Sequence, residues 1–508
     1  MDIQKTAGKM AEKNKKVIIV GCGIAGLAAA LKLSYKGLKV EVYDKNDSPG
    51  GKLRAIPSLI GPIDAGPTVF TLKPWFDQLF EEIKERLENH LTISEQLILA
   101  RHWWPDGSML DLMADFGETL ESIRKFSGEK SAKEFENFYK KTKSAFDIFE
   151  GPIMRSAKID YRNLLTVVIK NYGHLSSLLL NHRNMWQYLS TEFSDPRLRQ
   201  LFARYATYVG TSPMEAPALL SLVWQAEARG VWQILGGMHK LPGVMEQLAR
   251  KNGATFKYQT EIKSIETKNK CVTGVLDENN NFNEANGILF NGDPAAIRKG
   301  MLGPRLHHII SPRAVRDRSL SAFVWSFSAK PKGRNLSLHN VFFNTDYTSE
   351  FKEIKNGEMP RDPSIYVCAQ DRGVSPNIGG TERFEIIINA APVSDKLNAH
   401  NKKVEFEKCK KVTFQTLKKM GLEFLQTPSI KNLTTPTDFQ KMFPGSDGSL
   451  YGLNLSRTLS TFRRPKVRTT IKGLYLAGGG VHPGPGVPMA LSSGKHAAEM
   501  MLKDLSLT

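Results

Sequence analysis

The stretch from Val17 to Asp44 constrains the fold of this chain more than any other. Val17-Ile-Ile-Val20 is a short β-branched apolar run, the pattern of a buried parallel strand, and it leads straight into Gly21-Cys-Gly23-Ile24-Ala25-Gly26. Gly21 permits a tight turn, Gly23 leaves room for a pyrophosphate, and Gly26 lets the next helix pack close to the strand. Leu27-Ala-Ala-Ala-Leu31-Lys-Leu33 continues as that helix, with its N-terminal N–H groups and dipole toward the phosphates. Gly37 ends it, Val40-Glu-Val-Tyr43 makes a second strand, and Asp44 follows. An acid about twenty residues beyond the glycines is placed to bind a ribose 2′-hydroxyl, and its charge repels a 2′-phosphate. A GxGxxG alone is weak evidence. Strand, turn, helix, strand and acid in order predict a dinucleotide grip.

A second glycine-rich stretch lies near the other end. Gly473-Leu-Tyr-Leu-Ala-Gly478-Gly479-Gly480 runs into Val481-His-Pro-Gly-Pro-Gly486-Val487-Pro488. It reads as a strand, a backbone-lined pocket and a final helix. Gly478, Gly479 and Gly480 allow backbone to lie against a flat ring, while Pro483 and Pro485 stiffen the approach. Pro488 suits the first turn of a helix running through Met489 to Met500. If the two stretches meet in space, they bracket one cofactor.

Between them the α/β pattern is interrupted. Segments 16–75, 230–300 and 463–508 read as three pieces of a cofactor domain. Segment 76–229 reads as a mainly helical cap and substrate region, with a strand-like patch at His102-Trp-Trp-Pro-Asp-Gly107, and 301–462 as a substrate domain of alternating strands and helices. Residues 1–15 are polar and lysine-rich without the apolar core of a secretion signal, and read as a disordered basic leader.

Composition narrows the partners. The 508 residues suffice for two or three subdomains around a large core. A formal charge of +19 favours a polyanion or an anionic membrane face. No zinc-finger spacing or RNA-binding aromatic signature accompanies it, so nucleic acid is not expected. Cys22, Cys271, Cys368 and Cys409 lie far apart with no CxxC, which suits a reducing compartment and argues against a cysteine metal site. No metal is expected. No stretch reaches the roughly 18 apolar residues needed to span a bilayer. Ile159 to Leu180 carries apolar clusters with Lys158, Arg162, Lys170 and Arg183 at its flanks and Tyr161, Tyr172 and Trp186 nearby. Two readings stand: a helix lying in the headgroup plane, or an ordinary core helix of the cap.

The motif order resembles a known family. Ser48-Pro-Gly50-Gly51-Lys52 is similar to the second glycine pair of the FAD-dependent amine oxidase and carotenoid desaturase superfamily, which argues for FAD over NAD. Asp64-Ala-Gly-Pro-Thr-Val-Phe70, Trp104-Pro-Asp-Gly-Ser108, Ile365-Tyr-Val-Cys-Ala-Gln-Asp-Arg372 and Ala477-Gly-Gly-Gly-Val-His-Pro-Gly-Pro-Gly-Val-Pro-Met-Ala490 resemble the bacterial carotenoid (phytoene-type) desaturases, and most of all the 1-hydroxycarotenoid 3,4-desaturases. The resemblance covers about Lys16 to Leu502.

That resemblance implies an α/β fold: a Rossmann-like FAD domain of the amine oxidase/phytoene desaturase type assembled from separated segments, an α+β substrate domain and a helical membrane-associated cap. FAD contacts are expected at Gly21, Gly23, Ile24, Ala25, Gly26, Asp44, Lys45, Gly50, Gly51, Lys52, Ile262, Gly478, Gly479, Gly480, Gly486, Val487, Pro488 and Met489. Lys52 supplies a cation there or is only a solvated loop lysine. His482 is the single candidate acid or base, set against a role in shaping the flavin site, and no general base is named. Asp64 and Asp293 bind ribose, phosphate or only backbone. Arg204 and Tyr208 orient the cap near substrate or serve packing. The implied activity is hydride removal to flavin N5 and proton loss, making a C-3,4 double bond in a 1-hydroxy or 1-methoxy acyclic carotenoid. The electron acceptor is oxygen or quinone, and the expected location is cytoplasmic, on the inner face of the cell membrane. Desaturation of phytoene or another acyclic carotene, redox-neutral carotenoid isomerisation, and non-catalytic prenyl-lipid carriage are the alternatives.

Overall fold

The protein is described from a computed structural model, which covers residues 15–506 apart from 180–182, 374–379, 395–401 and 457–459. Most of the leader therefore lies outside the described residues, as does Leu180 at the end of the apolar segment.

A five-stranded, wholly parallel sheet forms the first layer. Its order is Thr255–Lys257, Lys39–Tyr43, Lys16–Val20, Gly287–Phe290 and Leu474–Leu476. Three separated stretches of chain thus build one sheet. Val17, Ile18 and Ile19 have no exposed surface, as a strand covered on both faces requires. The helix Ile24–Tyr35 buries Ala28, Ala29 and Ala30 completely, and these short side chains let it lie between the sheet and the final helix, Val487–Ser506. Gly494 sets that approach. A Cβ there would stand 2.0 Å from the Ala25 carbonyl oxygen. An antiparallel insertion of Ile262–Lys268, Cys271–Asp277 and Phe282–Glu284 precedes the strand Gly287–Phe290.

The second layer is a seven-stranded sheet ordered Leu433–Thr434, Ser321–Ala329, Glu382–Ala390, Ile365–Ala369, His339–Phe342, Ile98–Trp103 and Met109–Met113. The helix Lys402–Lys419 covers one face, where Trp325 Nε1 donates to Thr413 Oγ1 at 3.2 Å. Segment 76–229, read as helical cap and substrate region, takes part in this sheet. The patch at His102 belongs to a hairpin that pairs in parallel with His339–Phe342, so this segment also supplies two strands of the substrate sheet. Partners more than two hundred residues apart leave no local mark in the sequence.

The remaining helices gather on an aromatic core. The long helix Phe116–Phe149 is bent at Gly128 and packs Phe135 and Phe138 against Phe202 and Trp224. Tyr161–Lys170 and Tyr172–Leu179 sit on this core through Leu164, Leu175 and Leu178. Among the described residues no helix is long and apolar enough to cross a membrane.

Candidate active site

The first glycine stretch is shaped by contacts that exclude side chains. Gly21 has φ +102° and donates its N–H to the Tyr43 carbonyl at 2.8 Å. A Cβ on Gly26 would lie 2.2 Å from the Gly21 carbonyl oxygen and 2.9 Å from Asn291 Oδ1. The Gly50–Gly51 pair lies directly against this turn: Gly50 N–H donates to the Cys22 carbonyl at 2.8 Å, and a Cβ on Gly51 would stand 3.2 Å from Gly23 Cα. Asp44 closes the mouth, accepting from Cys22 N at 2.6 Å and Asn46 N at 2.8 Å. Ile24 and Ala25 open the helix here, both buried. The Cys22 thiol is pushed up to about 12, mainly by burial, which fits a filler rather than a nucleophile.

The C-terminal stretch meets the first one. Ala477 N–H donates to the Phe290 carbonyl at 3.0 Å, extending the sheet to its last strand. Asn291 makes the junction: its Oδ1 accepts from Gly26 N–H at 2.8 Å and its Nδ2 donates to the Ala477 carbonyl at 3.2 Å. A Cβ on Gly478 would meet that same Nδ2 at 2.9 Å, and one on Gly480 would meet Pro294 Cδ at 2.6 Å. Gly479 offers its carbonyl to Arg464, and Gly486, at φ +104°, turns the chain into the helix that begins with Val487 and Pro488. Met489, one residue on, packs against the aromatic core of the cap.

Buried cations surround this junction. Lys52 donates to the Leu450 carbonyl, and its ammonium is pulled down to about 8, first by burial. It is therefore not a solvated loop lysine. Arg464 donates to the carbonyls of Tyr451, Gly479 and Leu453 at 3.1, 2.9 and 3.1 Å, and burial brings it down to about 10. Its Nε has no partner. Asp293, the carboxylate that favours the charged form of both, is already paired with Arg318. Three cations with one carboxylate, an orphan donor and a cradle with no room for a Cβ at Gly26, Gly478 and Gly480 fit an anionic dinucleotide such as FAD.

Several predicted residues are placed elsewhere or otherwise engaged. Lys45 donates outward to the Lys441 carbonyl at 2.6 Å. Ile262 is buried at the start of the antiparallel insertion. Asp64 serves backbone and a neighbour: it accepts from Met238 N at 2.7 Å, His239 N at 3.0 Å and His239 Nδ1 at 2.6 Å. Asp293 caps the short helix Pro294–Arg298. His482 holds Nε2 at 2.8 Å from the Ser156 carbonyl, so that nitrogen carries its proton, and burial draws the ring below its usual value of 6.5. Arg204 lies in a closed network with Tyr205, Tyr208 and Glu227, where the Tyr205 hydroxyl donates to Glu227 Oε2 at 2.6 Å. Sequence reasoning missed Asn291, Arg318 and Arg464. Asn291 alone carried a signal, since it follows the strand Gly287–Phe290 at the edge where cofactor loops gather.

Fold and site together define a dinucleotide-binding oxidoreductase. Residues 24–502 match the family described as flavin containing amine oxidoreductase. The chain is 43% identical over 491 residues to the hydroxyneurosporene desaturase of Cereibacter sphaeroides, covering 97% of this chain and 98% of that protein. It is 32% identical over 505 residues to the 1-hydroxycarotenoid 3,4-desaturase of Flavobacterium sp. (strain P99-3), covering 96% and 99%. An oxidoreductase from Methanosarcina mazei has a similar structure, with a TM-score of 0.61 and 15% identity over 95% of this chain and all of that one. The chain belongs to the flavin containing amine oxidoreductase family and, within it, to the carotenoid desaturases; it is an FAD-dependent oxidoreductase.

Proposed function

We propose that this protein introduces a C-3,4 double bond into acyclic carotenoids with a 1-hydroxy or 1-methoxy end group. The observation that carries this reading is full-length similarity, at 43% identity, to a hydroxyneurosporene desaturase. FAD supplies the oxidant that takes hydride from an allylic carbon of the substrate. The chain's own part is to hold the dinucleotide and position the polyene. Gly21, Gly23 and Gly26 bring the helix N-terminus to the pyrophosphate, Asp44 takes the ribose, and Lys52 and Arg464 set positive charge against the anionic cofactor. The N-terminus of Val487–Ser506 lies where negative charge on the ring is favoured. Because positive charge on the substrate spreads along the conjugated chain, much of the catalysis is positioning.

The substrate also accounts for the basic surface. At about 0.8 kcal/mol per CH₂-sized unit, a forty-carbon polyene does not enter water freely. The protein docks on the inner face of the cell membrane, and oxygen or a quinone reoxidises it. Supporting this, Leu165 and Ile169 are 61% and 65% exposed, with Tyr161 and Tyr172 beside them and exposed Lys158, Arg162 and Lys170 at the flanks.

The test is incubation of the purified FAD-loaded protein with membranes carrying 1-hydroxyneurosporene, 1-hydroxylycopene or phytoene, with products followed by absorbance and mass. Loss of two hydrogens from the hydroxylated substrates is expected. Conversion of phytoene alone would overturn the substrate assignment, and a product of unchanged mass would mark an isomerase.

A further inference from the structure

On the seven-stranded sheet, Ser326, Glu385, Cys368 and His339 are successive cross-strand partners and form one row. Their neighbours Trp325, Phe384 and Val367 point into the apolar layer under Lys402–Lys419, so the row faces the opposite side. That side looks toward the cofactor segments. Tyr366 hydroxyl bonds His339 Nδ1 at 2.7 Å and Thr68 Oγ1 at 2.8 Å. Thr68 follows Gly66, where a Cβ would stand 1.8 Å from the Lys52 carbonyl oxygen. Tyr451, within the field of Glu385, precedes Gly452, where a Cβ would stand 3.1 Å from Gly480 Cα. The row therefore lies alongside both glycine stretches.

Four of its polar atoms lack partners. Glu385 has no exposed surface, yet neither carboxyl oxygen has a hydrogen-bond partner; Ser326 Oγ and His339 Nε2 are equally buried and equally unpartnered. Four such atoms in one row cost stability, and they are retained where a ligand completes them. Burial, reinforced by Asp64 and opposed by Arg54 and by the nearby Thr68 hydroxyl, holds Glu385 well above the usual carboxylate range, and burial takes His339 down to about 3. At neutral pH the row thus holds a neutral acid and, beyond Cys368, a neutral imidazole. The acid suits an uncharged oxygen, because it both donates and accepts. In a 1-hydroxycarotenoid the hydroxyl oxygen sits three bonds from C-3, so its site must adjoin the place where C-3 and C-4 meet the cofactor.

We propose that Glu385, next to Ser326 in this row, binds the C-1 oxygen of the substrate and makes the enzyme select oxygenated over unsubstituted acyclic carotenoids. This rests on the desaturase reading above. The binding test uses the full-length, FAD-loaded protein reduced anaerobically with dithionite, so that substrate binds without turnover. Affinities for 1-hydroxyneurosporene and neurosporene are read from tryptophan fluorescence quenching, alongside steady-state KM and kcat for both. Wild type is expected to prefer the hydroxylated compound on the order of tenfold to a hundredfold. Glu385→Leu is expected to abolish the preference while binding neurosporene at least as well, and Glu385→Gln to keep most of it. Ser326→Ala, a smaller change, is expected to lose part of the preference with FAD content intact. A Glu385→Leu protein that retains FAD and either keeps the preference or weakens both ligands equally overturns the proposal. If Glu385→Leu does not retain FAD, an unchanged preference in Ser326→Ala overturns it. Failure of wild type to turn over 1-hydroxyneurosporene overturns the underlying desaturase reading instead.

Discussion

Asn291 shows how much a single side chain can decide. Its two amide atoms join Gly26 to Ala477, residues separated by most of the chain. Glu350 is a second case, in the layer beneath the cap. Its carboxylate accepts from Ser364 N at 3.0 Å and Asn344 Nδ2 at 2.9 Å, yet burial raises it to about 7. The folded protein therefore keeps a proton that the unfolded chain has released above its ordinary value of 4.5. Stability from this group is full below that value and is lost as pH rises through 7, a change on the order of 3 kcal/mol. Glu350→Gln removes this dependence. Urea unfolding at pH 5 and pH 8 should show the variant gaining on wild type by a few kcal/mol at the higher pH; parallel profiles would refute it.

At the scale of elements, the first strand–turn–helix–strand was legible because everything that defines it is local. The glycines, the apolar strands and the acid fall within one unit. The final helix was legible for the same reason, with Pro488 in its first turn. How these two helices pack was not. Gly494 sits at a crossing where a Cβ would collide with the Ala25 backbone, and nothing near it in sequence announces that contact. Gly494→Ala should force the helices apart and cost about 1–3 kcal/mol, the usual price of overpacking. A lowered thermal midpoint with weakened FAD retention is the expected outcome, and unchanged values for both would count against it. The hairpin Ile98–Trp103 and Met109–Met113 was half legible. The patch at His102 read as strand-like, but its parallel partner His339–Phe342 lies far along the chain.

For the whole molecule, the net charge of +19 and the exposed apolar stripe on Tyr161–Lys170 combine into one expectation. The protein should sediment with anionic vesicles, less so in high salt, and the double variant Leu165→Asp, Ile169→Asp should lose most of that binding while keeping its FAD. Equal sedimentation of variant and wild type would remove this surface from the docking model. Within this apolar segment Leu164, Leu175 and Leu178 are buried in the cap, and Leu165 and Ile169 face outward. By itself the sequence determined the first strand–turn–helix–strand, the C-terminal glycine run and the final helix, because each is a short pattern whose parts are neighbours along the chain. Only the tertiary structure decided how the two glycine stretches join through Asn291, how Lys52, Arg318 and Arg464 gather around Asp293, and how Ser326, Glu385 and His339 align. Those arrangements depend on pairings between distant strands, and strand pairing is set by packing of the whole chain rather than by any local run of residues.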